Sequence, residues 1–420
     1  MGFIGGVLQK SFKERVRRSE LDRLLAAPID IGKRSAAALI CDFWGELVAG
    51  PFEFALDERG FRALTTELAR ADAARDAVWI RVGLEQAGHY HRTLQARLWG
   101  QGLEIVTFNP AQVKENRAQD LLRSLKSDAR DLGAMAELLI RGKGRPADPA
   151  GDAIGIQAAL SGHRRRKVKA RTALKNQIHA SLDLTFPGVA DCFDDIFDTK
   201  LGRLILSTGL DPERVRRLGP ERLRAFALRR GVHVKRAKAS EIVDKARHAL
   251  TLPAPLAEVQ SRVLAADVGL LERIDEEIAG VEAGLGEVLP QTPAAILTTM
   301  PHVGVVRASS YGGALGDPAS FHSAAQVYRL SGLVPKLYES AGRKRGSTSI
   351  SREGRVELRE AILELGKALR KGHPDFARYG RELAGRGKHS GVVACAVANR
   401  ANRVAFAMMR DQRPFDRSRW

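Results

Sequence analysis

The feature that most constrains the fold is a change in the period of the apolar residues along the chain. Before residue 141, short alternating apolar runs are interspersed with helical spacing. Beyond the segment 142–151 (GKGRPADPAG), apolar residues recur only every three or four positions. A period of two is typical of strands, and steps of three and four are typical of amphipathic helices. The sequence therefore predicts an α/β region followed, after a linker, by a mainly α-helical region.

The first region has the element order of an RNase H-like domain, which we place at residues 26–145 after a basic N-terminal extension at 1–25. Strands followed by alternating helices and strands indicate a mixed sheet in an α/β layer. The expected elements are two or three strands within 28–56, a helix at 57–75, a strand at 77–84, a helix at 89–100, a strand at 103–108 and a helix at 127–140.

Two helical stretches in the second region predict an antiparallel coiled-coil arm at residues 152–290. Apolar residues follow three- and four-residue steps over 256–288, about nine turns, and again over a shorter stretch at 173–182. Shorter, Arg-rich helices are expected between them. Because the short stretch cannot cover so long an apolar stripe, we expect the arm to mediate self-association.

The charge of the chain predicts a nucleic-acid partner. The 68 Lys and Arg outnumber the 49 Asp and Glu, giving a net charge of +19, of which residues 291–420 hold +12. Such a surplus attracts phosphate backbones and makes binding depend on salt. Two runs are too basic to be buried, although the first is equally typical of a solvated helix face. They are Arg164, Arg165, Arg166 and Lys167, and, in a Gly-rich stretch expected to be an exposed loop, Arg343, Lys344 and Arg345.

A helical C-terminal domain is expected at residues 291–420, beginning with a helix-hairpin-helix-like element. The stretch 296–309 (ILTTMPHVGVVRAS) has the outline of an apolar helix, a Pro-x-x-Gly turn and a second apolar helix. The Gly304 amide and the helix that follows it are suited to holding a phosphate without reading sequence. Many helical hairpins share this outline.

Four carboxylates in the first region are candidate metal ligands. Asp30 and Glu85 stand at the ends of apolar strands, and Asp128 and Asp131 lie three residues apart on one helix face. Carboxylate oxygens suit Mg²⁺, and two such ions would stabilise the attacking and leaving oxygens of a phosphodiester. Each residue taken singly is better explained as a cap or a solvated charge. Their order along an RNase H-like string favours a metal site.

Cysteine usage and hydropathy exclude other classes of protein. Cys41, Cys192 and Cys395 are more than 100 residues apart, which excludes a disulfide framework and a Cys-based zinc motif. No apolar run approaches the roughly 20 residues that a membrane span needs. We therefore expect a cytoplasmic protein with no membrane partner.

Seven segments, in this order, resemble the DEDD-type transposases of the IS110 family, relatives of the Piv invertases. They are IDIGK, GLEQAGHY, NPAQVKENR, KSDARD, MPHVGVVRAS, SGLVPKLYESAG and SREGRVELREAI, within residues 28–410. The resemblance implies a RuvC-like domain, a coiled coil and a C-terminal transposase domain with a nucleophilic serine. By matching motif, the acidic tetrad is Asp30, Glu85, Asp128 and Asp131, and the serine is Ser340.

The resemblance also implies an activity and its partners. The family recombines donor and target DNA with Mg²⁺, guided by a structured non-coding RNA, as a homo-oligomer ranging from dimer to tetramer. Two alternatives stay open. One is a RuvC-like structure-specific endonuclease that uses water, with Ser340 incidental. The other is a non-catalytic nucleic-acid-binding derivative of a transposase.

Overall fold

The structure is a computed structural model that describes residues 21–85, 90–108, 110–117, 128–146, 152–340 and 343–419. The chain divides into two compact units, residues 1–149 and 150–420. Within the described ranges, no helix is both long and apolar enough to cross a membrane.

The first unit is built on a mixed sheet with strand order β3-β2-β1-β4-β5-β6. β1 is parallel to β4 and β4 to β5, while β2, β3 and β6 pair antiparallel. This sheet is compatible with the predicted RNase H-like domain. Its elements are β1 (Leu24–Ile31), β2 (Ser35–Asp42), β3 (Leu47–Ala55), α1 (Glu58–Arg75), β4 (Trp79–Glu85), α2 (His91–Trp99), β5 (Glu104–Phe108), α3 (Pro110–Arg117), α4 (Asp128–Ile140) and the two-residue β6 (Arg145–Pro146).

The first strand begins earlier than the sequence predicts. Leu24 and Leu25 are buried in β1, so they belong to the sheet and not to the basic extension. Residues 1–20 of that extension lie outside the described residues. The strand extends in this direction because Leu24 and Leu25 pair in parallel with Trp79 and Ile80 of β4.

Helices cover both faces of the sheet. Leu25, Ala27 and Ile29 of β1 share one core with α1 and α2. Ala26, which has the opposite parity, shares a second core with Met135 of α4. Since successive strand residues point to opposite faces, this parity identifies the face of the sheet on which each strand residue lies.

The second unit is helical apart from one hairpin among its described residues. Its elements are α5 (Asp152–Thr185), α6 (Lys200–Thr208), α7 (Pro212–Leu228), α8 (Arg236–His248), α9 (Ala254–Val288), α10 (Val305–Leu315), α11 (Ala324–Leu330), β7 (Pro335–Ser340), β8 (Arg343–Ile350), α12 (Val356–Gly372), α13 (Pro374–Gly385) and α14 (Ser390–Asp411). Both predicted helical domains fall within this unit.

The two longest helices, α5 and α9, pack along each other in antiparallel sense. Arg164 pairs with Glu282 at 2.6 Å, and further along α5, Arg171 pairs with Asp275 at 3.2 Å. The partner helix is 34 residues long, whereas the sequence predicted only 173–182. It was missed because the basic run 163–171 interrupts the apolar pattern.

Two cores lie at opposite ends of the α5–α9 pair. The insertion between the two helices (residues 186–252, hereafter the insertion) packs on Ile178 of α5 and Ile274 of α9. The C-terminal helices α10 to α14 form the other core, which includes Leu289 just after α9. The pair is thus the scaffold on which both parts of the unit are mounted.

Two predictions for the C-terminal segment need correction. The stretch 293–299 is a 3-10 helix, so the predicted helix-hairpin-helix has only its second α-helix, α10, with Gly304 as N-cap. The predicted exposed loop is instead the antiparallel hairpin β7–β8. Tyr, Thr and Ile residues in this stretch favour strands, and the Gly and basic residues masked that preference.

The core at the α5–α9 seam yields a stability prediction. Ile278 is 5% exposed and Val259, on the same helix, is 52% exposed. Ile278→Ala should lower the unfolding free energy by about 3 kcal/mol, because it leaves a cavity. Val259→Ala should change it by less than about 0.5 kcal/mol. Denaturant titration of the two variants measures both changes in unfolding free energy. Equal losses would show that Ile278 is not part of a buried seam between α5 and α9.

Candidate functional site

Two of the predicted acidic residues lie side by side at the carboxyl ends of parallel strands. Ile29 of β1 is opposite Leu84 of β4, so the next step of the register places Asp30 opposite Glu85. Neighbouring strands are about 4.8 Å apart. Both carboxylates are only half-buried. The sequence prediction that these two acids converge at one sheet edge is consistent with this register.

Strand parity places both acids on the face that α4 covers. Asp30 has the parity of Ala26, which packs with α4. Glu85 has the parity of Arg81, whose guanidinium donates a hydrogen bond to the Leu139 carbonyl of α4 at 3.0 Å. The two carboxylates and α4 therefore share one side of the sheet.

The direction of α4 brings its first turn to the same end of the sheet. The last turn of the helix lies beside the first half of β4, where Arg81 reaches Leu139. Because α4 also packs along β1, its N-terminus lies toward the carboxyl ends of these strands. Asp128 is the first residue of the helix, and Asp131 is 7% exposed. The side chain of Asp128 lies outside the described part of the structure.

Two residues that the sequence analysis missed hold α4 against the sheet. Arg81 is buried and also forms an ion pair with Glu104 at 3.1 Å. Gly83 permits close approach, because a Cβ there would lie 3.0 Å from the Leu139 side chain and 2.7 Å from that of Phe108. The available signal was an arginine and a glycine inside the apolar run AVWIRVGL.

The donor set fits a hard divalent cation by its chemistry. Asp30, Glu85 and Asp131 offer only carboxylate oxygens, which are the ligands that Mg²⁺ prefers. Among the side chains that the structure describes, no group of three or more acidic, His or Cys residues is close enough to hold a metal ion. A complete ligand set would therefore draw on Asp128, whose side chain is not among them.

Ser340 lies in the second unit, at the end of β7. The hairpin register places Arg343 directly opposite Ser340 and Lys344 opposite Glu339. Arg345 follows on β8, opposite Tyr338. The side chains of Ser340 and these three basic residues lie outside the described part of the structure. The backbone alone thus brings the predicted serine and the predicted basic run to the same turn.

The other predicted basic run is largely paired with acids inside the second unit. Arg164 pairs with Glu282 of α9, and Lys167 forms an ion pair with Glu277. Arg165 bridges to α12, where it binds Glu360 and lies 3.0 Å from Glu357. The hydrogen bond from Arg165 lowers the pKa of Glu360, and that from Lys167 lowers the pKa of Glu277. Phosphate binding by Arg164, Arg165, Arg166 and Lys167 stays a prediction, but three of the four already have carboxylate partners.

The structure brings Gly304 close to that run. A cavity of about 700 Å³ between α5, α10 and α12 is lined by Gly304, Arg164 and Arg165. The same cavity is lined by Arg307 and by three acids, Glu357, Glu360 and Glu364. The mixed charge distinguishes it from a purely basic phosphate cradle.

Comparison with known proteins places both units in one family of transposases. Residues 27–187 match the DEDD transposase family of IS110 elements, and residues 294–381 match the transposase family of IS116, IS110 and IS902. The first match contains all four predicted acids, and the second contains Gly304 and Ser340. The chain belongs to the IS110 family of transposases, which confirms the resemblance found in the sequence.

Individual relatives match over different lengths. The pilin gene-inverting protein of Moraxella bovis is 28% identical over 125 residues, 30% of this chain and 39% of that protein. A 44.8 kDa protein of insertion element IS116 from Streptomyces clavuligerus is 24% identical over 354 residues, 83% of this chain and 87% of that protein. The transposase of IS1328 from Yersinia enterocolitica is 30% identical over 115 residues, covering 27% of this chain and 34% of that protein. The matched segment thus spans well under half of the first and third relatives.

Proposed function

We propose that this protein is a DNA recombinase that moves an insertion sequence by cutting and rejoining DNA. The observation that carries the proposal is the placement of Asp30 and Glu85 in adjacent register, on the sheet face that the helix with Asp128 and Asp131 covers. Such an arrangement of carboxylates at strand ends suits phosphodiester chemistry with divalent metal. The family match over both units supports it.

In the proposed reaction, the hydroxyl oxygen of Ser340 attacks the scissile phosphorus. The bond between the serine oxygen and phosphorus forms, and the bond from phosphorus to one deoxyribose oxygen breaks. The hydroxyl proton leaves the serine, and the departing deoxyribose oxygen takes up a proton. The phosphoserine link conserves the energy of the phosphodiester bond. Rejoining is the reverse reaction, in which a second DNA hydroxyl attacks the phosphorus and the serine oxygen leaves.

The remaining residues stabilise charge. Asp30, Glu85, Asp128 and Asp131 would hold Mg²⁺, which when bound neutralises negative charge on the phosphate oxygens. Arg343, opposite Ser340 in the hairpin register, and the neighbouring Lys344 and Arg345 stabilise the extra negative charge on phosphorus. The serine needs such help because its hydroxyl is a weak nucleophile at neutral pH.

Partners beyond DNA are part of the proposal. A structured non-coding RNA as guide to donor and target rests on the family resemblance. Self-association rests on an exposed stripe of α9: Leu256, Val259, Val263 and Leu270 are between 41% and 52% exposed. This stripe differs from the seam with α5, where Ile274 and Ile278 are buried.

Removing one carboxylate tests the metal site. Mg²⁺ or Mn²⁺ should raise the melting temperature of the wild type, because a ligand that binds only the folded state stabilises it. Asp30→Asn should lose most of this shift and also recombination. Glu53→Gln, which removes an exposed charge from β3 of the same sheet, is the matched control and should keep both. A full metal-induced shift in Asp30→Asn would remove Asp30 from the metal site.

The serine is tested by trapping a covalent protein–DNA adduct under denaturing conditions. Ser340→Ala should bind DNA normally but form no adduct, whereas Ser349→Ala, on β8 of the same hairpin, should still form it. An adduct that persists in Ser340→Ala and disappears in Ser347→Ala or Ser349→Ala would reassign the nucleophile. If the wild type cleaves DNA without any adduct, a water-dependent nuclease replaces the recombinase.

A single charge in the exposed stripe tests self-association. Val263→Asp should lower the mass measured by light scattering, because a charge in an apolar interface is left without a partner. Ala265→Asp places the same charge two residues away, at an exposed position outside the stripe, and should leave the mass unchanged. Equal masses for Val263→Asp and the wild type would show that the stripe is not the interface.

A further inference from the structure

The insertion carries an excess of positive charge, and it differs from α5 in how that charge is paired with acids. Residues 186–252 contain 14 Lys and Arg against nine Asp and Glu, and all of the basic residues lie within 200–252. In α5, by contrast, six of the seven basic residues form ion pairs with acids. The basic residues of α5 are therefore largely neutralised within the unit.

Two arginines of the insertion lie over a single aromatic ring, and two more lie on the same helix face as that ring. The guanidinium carbons of Arg214 and Arg230 lie 5.3 Å and 3.9 Å from the centre of the Phe226 ring. Arg222 and Arg229 precede and follow Phe226 by four and three residues on α7 and its C-cap, so they lie on the same helix face. All four side chains are exposed, whereas Phe226 is 5% exposed. We call these four residues the arginine cluster.

The acids that the structure describes do not pair with this cluster. Among the described residues, no ion pair involves Arg214, Arg222, Arg229 or Arg230. The nearby Glu221 is engaged by Arg224 and Arg236 instead, at 2.8 Å and 3.2 Å. Guanidinium groups gathered on one small surface repel each other unless anions lie between them, and their planar forks match phosphate oxygens.

The surroundings of the cluster favour a phosphate backbone over exposed bases. The aromatic residues of the insertion are Phe186, Phe193, Phe197 and Phe226, and none is exposed. Single-stranded nucleic acid is usually held by stacking of its bases on exposed aromatic rings. Without such a platform, the cluster is suited to the regularly spaced phosphates of a duplex.

We propose that the arginine cluster of the insertion is a docking surface for the phosphate backbone of duplex DNA. It is separate from the basic residues of the β7–β8 hairpin, and it contacts DNA without reading its sequence. Arg222 and Arg229 lie seven residues apart, about 10 Å along the helix. They therefore reach different phosphates of the backbone.

The test compares two double variants of the full-length chain that lose the same charge. Arg222→Gln with Arg229→Gln removes two members of the cluster, and Lys367→Gln with Arg378→Gln removes two exposed cations of the same unit that are paired with Glu364 and Asp375. Affinity for a duplex DNA of arbitrary sequence is measured across a range of NaCl concentrations. The cluster variant should lower the slope of log K against log [salt] by about 1.8, or ~0.9 per lost phosphate contact. The control should change it by less than about 0.5.

Three outcomes would overturn the proposal. An unchanged slope in the cluster variant would show that the cluster does not touch phosphate. An equal loss in the control would show that net charge, not this surface, governs binding. A loss of affinity for A-form duplex RNA alone would assign the surface to RNA.

The double variant Arg222→Lys with Arg229→Lys keeps the charge and should keep the slope. This control separates the effect of charge from that of a folding defect. The assay needs no strand cleavage, so failure of the serine mechanism leaves its result unaffected.

Discussion

Charge complementarity between α5 and α9 is the constraint on which the second unit depends. α5 carries seven Lys and Arg against two Asp, and α9 carries eight Asp and Glu against two Arg. Each exposed ion pair contributes only about 0.2–1 kcal/mol, so the apolar seam through Leu264, Leu271 and Ile278 supplies most of the stability. The charges instead fix direction and register, because a parallel or shifted pairing would break the Arg164–Glu282 and Arg171–Asp275 contacts together.

That constraint changes where free positive charge lies. The basic run of α5 is the densest in the sequence, yet it is balanced by α9 and α12. The arginine cluster of the insertion is more dispersed in sequence and is not balanced by any described acid. Density of charge along a chain is therefore a poor guide to an electrostatic surface. What matters is whether the fold supplies counter-charges from elsewhere.

Much of the first unit could be predicted because its signals are local. Strand alternation and helical steps locate β4, α1 and α4 to within a few residues, and strand ends locate Asp30 and Glu85. The length of α5 could not be predicted, because its middle is charged on the side that α9 neutralises. The β7–β8 hairpin was missed because its Gly and basic residues are typical of loops. Both errors arise where a distant partner, or pairing across a turn, overrides local preference.

The four candidate ligands are fixed by two different kinds of interaction. Asp30 and Glu85 directly follow Ile29 and Leu84, the last pair of the ladder between β1 and β4, so their spacing follows from strand pairing. Asp128 and Asp131 depend on how α4 docks, and that docking rests on Arg81 at its last turn and on the absence of a side chain at Gly83. Leu132 and Met135 of α4 are fully buried as well, so the helix is packed along its length and Arg81 fixes its last turn. The geometry of the candidate metal site is therefore set partly by a buried arginine on the adjacent strand, which supplies no ligand itself.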